Sequence, residues 1–373
     1  MGNSESSHGK NKQNQRPPMF DTAVKAFARV SSDGNVITKE DLTTHFGNHL
    51  GAILYRFFDQ KPVDQQCFAE KFYNLYEMRA QDFVENSESI EEFCEAVLET
   101  VGKSRNDEQN NFISSFCDDA RSSPTQYIEG NSPGLVHTCL LGKLRNGVSP
   151  LPENIVFASE SELLSPFQML VLQGSLPEMV YFQNKRPTGV DMPCWHILYD
   201  SGNHGLSVNG FEGKVFGYQS PTVAIFKMND GQIFVIANNL EWRYTYNQKF
   251  WLLIHEMPED IRPTFKVFES RSPEPIFCNF KYRTSGFGVG YKDAFTVNAG
   301  FDNVAAIEVW GCGDDAALKA QAAQKLRQRM AAERNQKVPL PGNWDDNPDK
   351  TVLEMAGFQF SSERNRPEPP IDE

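Results

Sequence analysis

The segment from Thr222 to Ala237 reads TVAIFKMNDGQIFVIA and decides the fold of the second half of the chain. Two runs rich in β-branched and aromatic residues, Thr222–Met228 and Gln232–Ala237, flank the turn Asn229-Asp230-Gly231. An Asp-Gly pair between two such runs favours a tight hairpin, because glycine accepts the positive φ that the turn requires. The segment therefore predicts two adjacent antiparallel strands.

Further strand-like runs lie on both sides of this hairpin, at 195–199, 250–255, 264–268, 276–280 and 305–310. Several short strands separated by turn residues, with few long helices among them, are typical of an antiparallel β-sandwich. We expect this β-rich domain to cover residues 151–313, with a short apolar helix ending near Leu172 at its start.

Residues 19–150 show helical periodicity instead. Apolar side chains recur at helical spacing, as at Phe20, Val24 and Phe27, and capping-box patterns begin at Thr38 and Ser89. The succession of helix, loop and helix predicts an EF-hand-like domain. The chain as a whole is thus predicted to be α+β.

The loops of this helical domain are poor calcium sites. With Gly34 as the turn glycine, Arg29 falls at the first ligand position, where calcium needs a carboxylate. In the second candidate loop, Asp59–Glu70, Lys61 takes a ligand position and Asp64 replaces the turn glycine. We predict no calcium, no other metal and no cofactor.

Composition argues against several classes of partner and cellular environment. A formal net charge of −13 argues against a broad nucleic-acid surface, which needs clustered Lys and Arg. The seven cysteines are scattered without Cys-x-x-Cys spacing, which favours reduced core thiols in a cytosolic protein. No apolar run approaches the length of a membrane-spanning helix.

The chain begins Met1-Gly2-Asn3-Ser4-Glu5-Ser6, which matches the N-myristoylation pattern once Met1 is removed. We expect residues 1–18 to form a flexible tail that is acylated at Gly2. Because one myristoyl chain binds membranes only marginally, a second contact is needed for attachment.

No catalytic set stands out. The run from Gly205 to Gly210 places its second glycine one residue too late for a nucleophile elbow, and the glycines of 286–290 lead into a strand instead of a helix. His196 and His204 flank Asp200, which could form an acid–base cluster, although a polar turn between strands is the better interpretation.

Four segments carry a resemblance to a known family. LYDSGNHGLS from Leu198 to Ser207 resembles the opening strand and turn of a TLDc domain. DGQIF from Asp230, followed by Trp242, is similar to the central hairpin of that family; GFGVG from Gly286 resembles its glycine-rich segment, and IEVWG from Ile307 its closing strand. One departure is Val235, where many members have glycine. The complete chain resembles the myristoylated, mTOR-associated TLDc group.

The resemblance implies a set of family positions with structural or partner-binding roles. They are Ser201, His204, Gly205, Ser207, Gly231, Phe234, Trp242, Gly286, Gly288, Gly290, Glu308, Trp310 and Gly311. Glu308 lies within an apolar strand, so a buried carboxylate there needs a partner, for which Ser201 and His204 are candidates. Structural use is the expected role for most of these positions.

The segment 314–373 is predicted to form a C-terminal helical extension with a disordered end. Residues 316–337 are rich in strong helix formers and carry six basic residues against one acidic residue. We expect this helix to contact a partner and not to belong to the sandwich core, so that deletion of 316–373 leaves the β domain folded. Its candidate partner-binding residues are Leu318, Lys325, Leu326, Arg327, Arg329 and Met330.

The resemblance further implies a non-enzymatic, membrane-tethered adaptor on the cytoplasmic face of lysosomal or plasma membranes and in the cytosol. Its expected partners are peripheral subunits of the V-ATPase and a growth-signalling kinase complex, with a link to oxidative-stress resistance. Two alternatives stay open at this point: an antioxidant enzyme that uses a cysteine or the His204 region, and a signalling scaffold that acts independently of the V-ATPase.

Overall fold

A computed structural model describes residues 19–148, 160–182, 195–239, 241–242, 250–256, 264–269, 276–279, 288–291, 295–297, 300–336 and 348–357. The fold is α+β, as predicted, with antiparallel sheets. By compactness the chain divides into Met1–Gln321 and Ala322–Glu373. The first unit contains both the helices of the N-terminal half and the sheets. The boundary predicted at residue 150 stays a prediction.

The N-terminal half is built from helices around one apolar core. Its elements are α1 (Phe20–Val30), β1 (Val36–Ile37), α2 (Lys39–Phe46), α3 (Asn48–Phe57), β2 (Val63–Asp64), α4 (Gln65–Tyr76), α5 (Ala80–Glu85), α6 (Ile90–Glu99), α7 (Asp107–Ala120), α8 (Pro124–Asn131), a π-helical segment (Leu135–Leu140) and α9 (Leu141–Val148). The predicted capping patterns are present: Thr38 caps α2 through Asp41, and Ser89 caps α6.

The two helix–loop–helix units, α1–β1–α2 and α3–β2–α4, meet through their loops, because β1 pairs with β2 in antiparallel register. The first loop is closed by its own side chains. Ser31 Oγ donates to the carbonyl of Val36 at 2.6 Å, and Asp33 accepts from the backbone N–H of Asn35 at 2.8 Å. The backbone N–H groups of Asn35 and Val36, which both donate to the Asp33 carboxylate, lower the pKa of Asp33. The loop conformation is thus held by internal hydrogen bonds, and the EF-hand-like assignment stays a prediction.

The second half supplies the sheets. Its elements are α10 (Pro166–Ser175), α11 (Glu178–Tyr181), β3 (His196–Asp200), α12 (Ser201–His204), α13 (Val208–Val215), β4 (Thr222–Met228), β5 (Ile233–Asn238), β6 (Phe250–Glu256), β7 (Thr264–Glu269), β8 (Ile276–Asn279), β9 (Gly288–Tyr291), β10 (Phe295–Thr296) and β11 (Val304–Gly311). The predicted hairpin pairs β4 with β5, with Phe226 opposite Phe234.

Among the described residues, six strands form one antiparallel sheet in the order β3-β11-β4-β5-β6-β7, and three form a second in the order β10-β9-β8. The central strands β4 and β5 are buried along almost their whole length. They are buried because one face of the large sheet packs against α13 and Trp242, and the other against α10 and Trp195. Face-to-face packing of the two sheets stays a prediction.

Helix α10 belongs to two cores at once. Phe167, Leu170 and Val171 pack in the core of the N-terminal helices. Met169 and Leu172, on another side of the same helix, pack against the large sheet. This explains why every residue from Phe167 to Gly174 is buried in so short a helix.

The C-terminal segment begins with α14 (Asp315–Gln336), capped by the Asp314 carboxylate, which accepts the N–H of Ala317 at 2.9 Å. A second helix, α15, covers Pro348–Met355. Within the part of the chain that the structure describes, no helix has the length and apolar content to cross a bilayer.

Candidate functional site

The polar centre of the sheet domain is Glu308, on strand β11 and only 3% exposed. Its carboxylate accepts three hydrogen bonds: from Ser161 Oγ at 2.6 Å, from the backbone N–H of Glu162 at 2.7 Å, and from the Trp310 indole at 3.2 Å. Burial raises the pKa of Glu308 despite these donors. The carboxylate thus fixes residues 161–162, which precede α10, to the middle of the sheet.

These partners correct the pairing expected from the sequence. Glu308 bonds neither Ser201 nor His204. Ser201 Oγ instead accepts the backbone N–H of Ile307 at 2.9 Å, which ties α12 to β11 one residue away. The hydrogen bond between Ser161 and Glu308 joins distant parts of the chain and leaves no periodic pattern, so nothing in the sequence points to Ser161.

His204 lies on the exposed turn that follows β3. Its ring stacks on Tyr199 with 5.8 Å between ring centroids, and its Nδ1 accepts the backbone N–H of Asp200 at 3.1 Å. Tyr199 donates its hydroxyl hydrogen to the Gly205 carbonyl at 2.6 Å. Gly205 has a φ of +74°, which favours glycine. The His-Gly pair therefore ends α12 and shapes the turn.

Ser207 starts the next helix. Its hydroxyl oxygen accepts the N–H of Gly210 at 3.1 Å and caps α13. Helix α13 was absent from the sequence prediction, since Gly210 and Gly213 weaken its helical pattern. It forms because Phe211 and Val215 are buried against the sheet.

The remaining described family positions serve turns and packing. Gly231 adopts a φ of +86° in the hairpin, and Phe234 is buried on the face of the sheet that α13 covers. Trp242 is buried, and its indole donates to Thr222 Oγ1 at 2.8 Å. A side chain at Gly311 would lie 2.7 Å from the Tyr218 ring. These contacts give each position a structural reason.

The glycine-rich segment is only partly described. Gly288 and Gly290 lie on β9, where Gly288 pairs with Asn279 and Gly290 with Phe277. Gly286, like Gly2 and the tail that carries it, lies outside the described residues.

Three groups that could take part in acid–base or thiol chemistry are constrained by the fold. His204 Nδ1 is engaged by the backbone, and burial raises the pKa of the Cys139 thiol to about 12 and that of Cys94 well above its usual value. Within the described ranges, no three His, Cys, Asp or Glu side chains are grouped so that they could hold a metal ion.

Residues 157–309 match the sequence profile of the TLDc domain. The chain contains a TLDc domain. The resemblance drawn from the four sequence segments is thereby confirmed, and the Glu308 carboxylate lies within the matched TLDc region.

This chain is also similar to a fungal protein named "Restriction of telomere capping protein 5" from Colletotrichum graminicola. The two are 39% identical over 291 residues, covering 56% of this chain and 46% of the relative. The match thus spans about half the length of that relative.

The six predicted partner-binding residues fall into two groups in α14. Leu318 packs against the TLDc core together with Ala317, and Gln321 donates to the carbonyls of Lys214 and Phe216 at the end of α13. Leu318 is thus partly buried against the TLDc core, while the expectation that the helix contacts a partner stays a prediction. Lys325, Leu326, Arg327, Arg329 and Met330 belong to the second unit.

Proposed function

We propose that this chain is a non-enzymatic, membrane-tethered regulator that binds the V-ATPase through its TLDc domain and the part of α14 beyond Gln321. The sequence match to the TLDc family supports this proposal. The described positions that are typical of this family have structural uses instead of catalytic ones. The proposed contact residues follow directly after the last residue that docks on the TLDc core.

The observation that carries the proposal is the exposed surface of α14 in the second unit. Leu326 and Met330 are 54% and 52% exposed, one helical turn apart, and Arg327 and Arg329 lie beside them. Apolar side chains next to Arg are typical of protein interfaces. An acidic surface on a pump subunit would be attracted to the cations.

A pull-down from membrane extracts tests this contact. Purified full-length chain should recover peripheral V-ATPase subunits, and Leu326→Ala combined with Met330→Ala should reduce recovery. A matched control is Val352→Ala combined with Met355→Ala, which removes two apolar side chains that are 64% and 85% exposed on α15 of the same unit. Failure of the unaltered chain to recover any pump subunit would reject the proposal.

Membrane tethering is proposed through acylation of Gly2, on the strength of the N-terminal pattern. Gly2→Ala should move the protein from membrane to soluble fractions without changing its melting temperature. An unmodified N-terminal glycine in an intact-mass measurement of the native protein would contradict this part of the proposal.

Growth signalling at lysosomes and oxidative-stress resistance are proposed as the processes that this regulator serves. Measuring kinase recruitment in cells that carry the Leu326 and Met330 variants distinguishes binding of the kinase complex from binding of the V-ATPase. Recruitment that persists without pump binding would favour an independent scaffold. Sustained peroxide consumption beyond the stoichiometry of the thiols would favour the antioxidant enzyme, against which the raised thiol pKa values argue.

A further inference from the structure

Two cysteines contact each other inside the N-terminal helical core. Cys94 lies on α6 and Cys117 on α7, and both side chains are 0% exposed. Their sulfur atoms lie 3.8 Å apart, although the two residues are 23 positions apart in the sequence. Both thiols are free. The fold thus brings together two groups whose oxidation yields a disulfide.

The two sulfurs need only a small movement to form a bond. Since a disulfide bond is about 2.05 Å long, they must approach each other by about 1.8 Å. Rotation about the Cα–Cβ bond moves a cysteine sulfur by a distance of this order. Helices α6 and α7 pack against each other, so the backbone already holds the two thiols side by side.

The two thiols differ in their access to an oxidant. Cys117 is three residues from the end of α7 at Ala120, and the terminal turn of a helix opens at a low cost in free energy. Cys94 lies in the middle of α6. Burial raises the pKa of the Cys94 thiol well above its usual value, and the charges of Glu91 and Glu95 act in the same direction. Opening of the last turn of α7 therefore exposes Cys117 first and leaves Cys94 buried.

We propose that Cys94 and Cys117 form a reversible disulfide, which joins α6 to α7 when the chain meets a hydroperoxide. The Cys117 thiolate attacks one peroxide oxygen, the O–O bond breaks, and a sulfenic acid and water form. When α7 closes again, the Cys94 sulfur attacks the sulfenic sulfur. The S–O bond breaks, the S–S bond forms, and the hydroxyl leaves with the Cys94 proton as water.

Two thiols and one hydrogen peroxide thus give one disulfide and two waters, and two electrons pass from the sulfurs to the peroxide. The reaction ends after one equivalent of peroxide per chain, which distinguishes it from an antioxidant enzyme with sustained turnover. A dithiol restores the starting state. The inference does not depend on V-ATPase binding.

The bond would brace the helix that supports α10. On α7, the rings of Phe112 and Phe116 pack edge-on against Phe167 of α10, with 6.1 and 5.5 Å between ring centroids. Helix α10 also packs against the large sheet. A covalent link from α6 to α7 therefore strengthens the helical side of the connection between the two cores.

Peptide mapping of the oxidised chain tests the bond. The purified full-length chain is treated with excess hydrogen peroxide, its remaining thiols are blocked with iodoacetamide, and it is digested with trypsin without reduction. Trypsin cuts after Lys103 and Arg105, so the two cysteines fall in separate peptides, 80–103 and 106–121. These two peptides should appear linked, and dithiothreitol should separate them. The rate of linkage should rise with pH, because the thiolate is the reacting species.

Alanine variants identify the role of each sulfur. Cys94→Ala and Cys117→Ala should each abolish the linked pair of peptides. The matched control is Cys139→Ala, which removes another buried thiol, one that interacts with Thr100. It should leave the linked pair at the level of the unaltered chain. In the Cys94→Ala chain, Cys117 should accumulate as a sulfenic acid that dimedone traps.

The melting temperature measures the effect on the fold. Oxidation should raise it by about 2–5 °C in the unaltered chain and in Cys139→Ala, because the link restricts the unfolded chain. It should not raise it in Cys94→Ala or Cys117→Ala, and this comparison within each chain holds even if a variant is less stable. Buried cysteines also serve simply as small apolar side chains. If they do so here, both thiols stay reduced or Cys117 is oxidised without linkage to Cys94, and either result overturns the proposal.

Discussion

Replacing Glu308 with alanine should lower the free energy of unfolding by about 2–4 kcal/mol, because three donors lose their acceptor. The Trp310 indole N–H is buried and cannot reach water, so leaving it without an acceptor accounts for about 1–3 kcal/mol of the lost free energy of unfolding. Ser161 and the N–H of Glu162 belong to a partly exposed segment and can turn toward solvent. Each of them therefore adds about 1 kcal/mol or less.

Glu308→Gln removes the charge and keeps the shape, so its cost should be smaller, about 1–2 kcal/mol. The matched control is Glu162→Gln, whose exposed carboxylate is not an acceptor in this cluster although its backbone N–H is a donor. Urea unfolding of the full chain measures all three variants. A cost below about 1 kcal/mol for Glu308→Ala, or a cost equal to that of Glu162→Gln, would refute the assigned role of the carboxylate.

The pH dependence supplies an independent check. Burial raises the pKa of Glu308 in the folded state above its unfolded value, so the folded state binds the proton more tightly. The contribution of Glu308 to the free energy of unfolding is therefore fully present below the pKa of the unfolded state and is lost as pH rises through the pKa of the folded state. The stability difference between the unaltered chain and Glu308→Gln should decline over that window and then become constant. A difference that increases with pH would contradict the direction of the shift.

Three further predictions concern the TLDc domain and its helical extension. Trp242→Phe should cost about 1–2 kcal/mol, measured by urea unfolding, because Thr222 Oγ1 loses the indole donor at a fully buried position. Gly205→Ala should cost about 1 kcal/mol in the same measurement because of its positive φ, whereas Gly213→Ala in α13 should be neutral or stabilising. Deletion of 322–373 should leave the melting temperature nearly unchanged. Deletion of 316–373 should lower the melting temperature by several degrees, because it removes Leu318 and the two hydrogen bonds of Gln321. Equal melting temperatures of the two shortened chains would show that these contacts do not stabilise the domain.

Local patterns are enough to predict the strands of the large sheet and the TLDc domain, but not the short strands β1, β2, β9 and β10. The hairpin at 222–237 combines apolar runs with Asp-Gly turn chemistry, and both signals act over a few residues, so the observed strands lie within one residue of the predicted ones. The same holds for the helix caps at Thr38 and Ser89, where side chain and backbone partners are three residues apart.

The site depends on contacts that no local pattern contains. Ser161 meets Glu308 across 147 positions of the sequence. Leu318 looks like part of an exposed stripe in the sequence and is partly buried because it packs against the core formed by α13 and the sheet. Tertiary packing determines each of these roles.

Helix α10 has a consequence for how the molecule loses its structure. Because one helix supplies side chains to both the helical core and the sheet core, neither core can melt without exposing apolar surface of the other. Amide hydrogens of α10 should accordingly exchange with solvent only through opening of both regions. A fragment cut to the TLDc domain alone would present Phe167, Leu170 and Val171 to water, so aggregation of such a fragment would reflect where it was cut and not a weakness of the sheet.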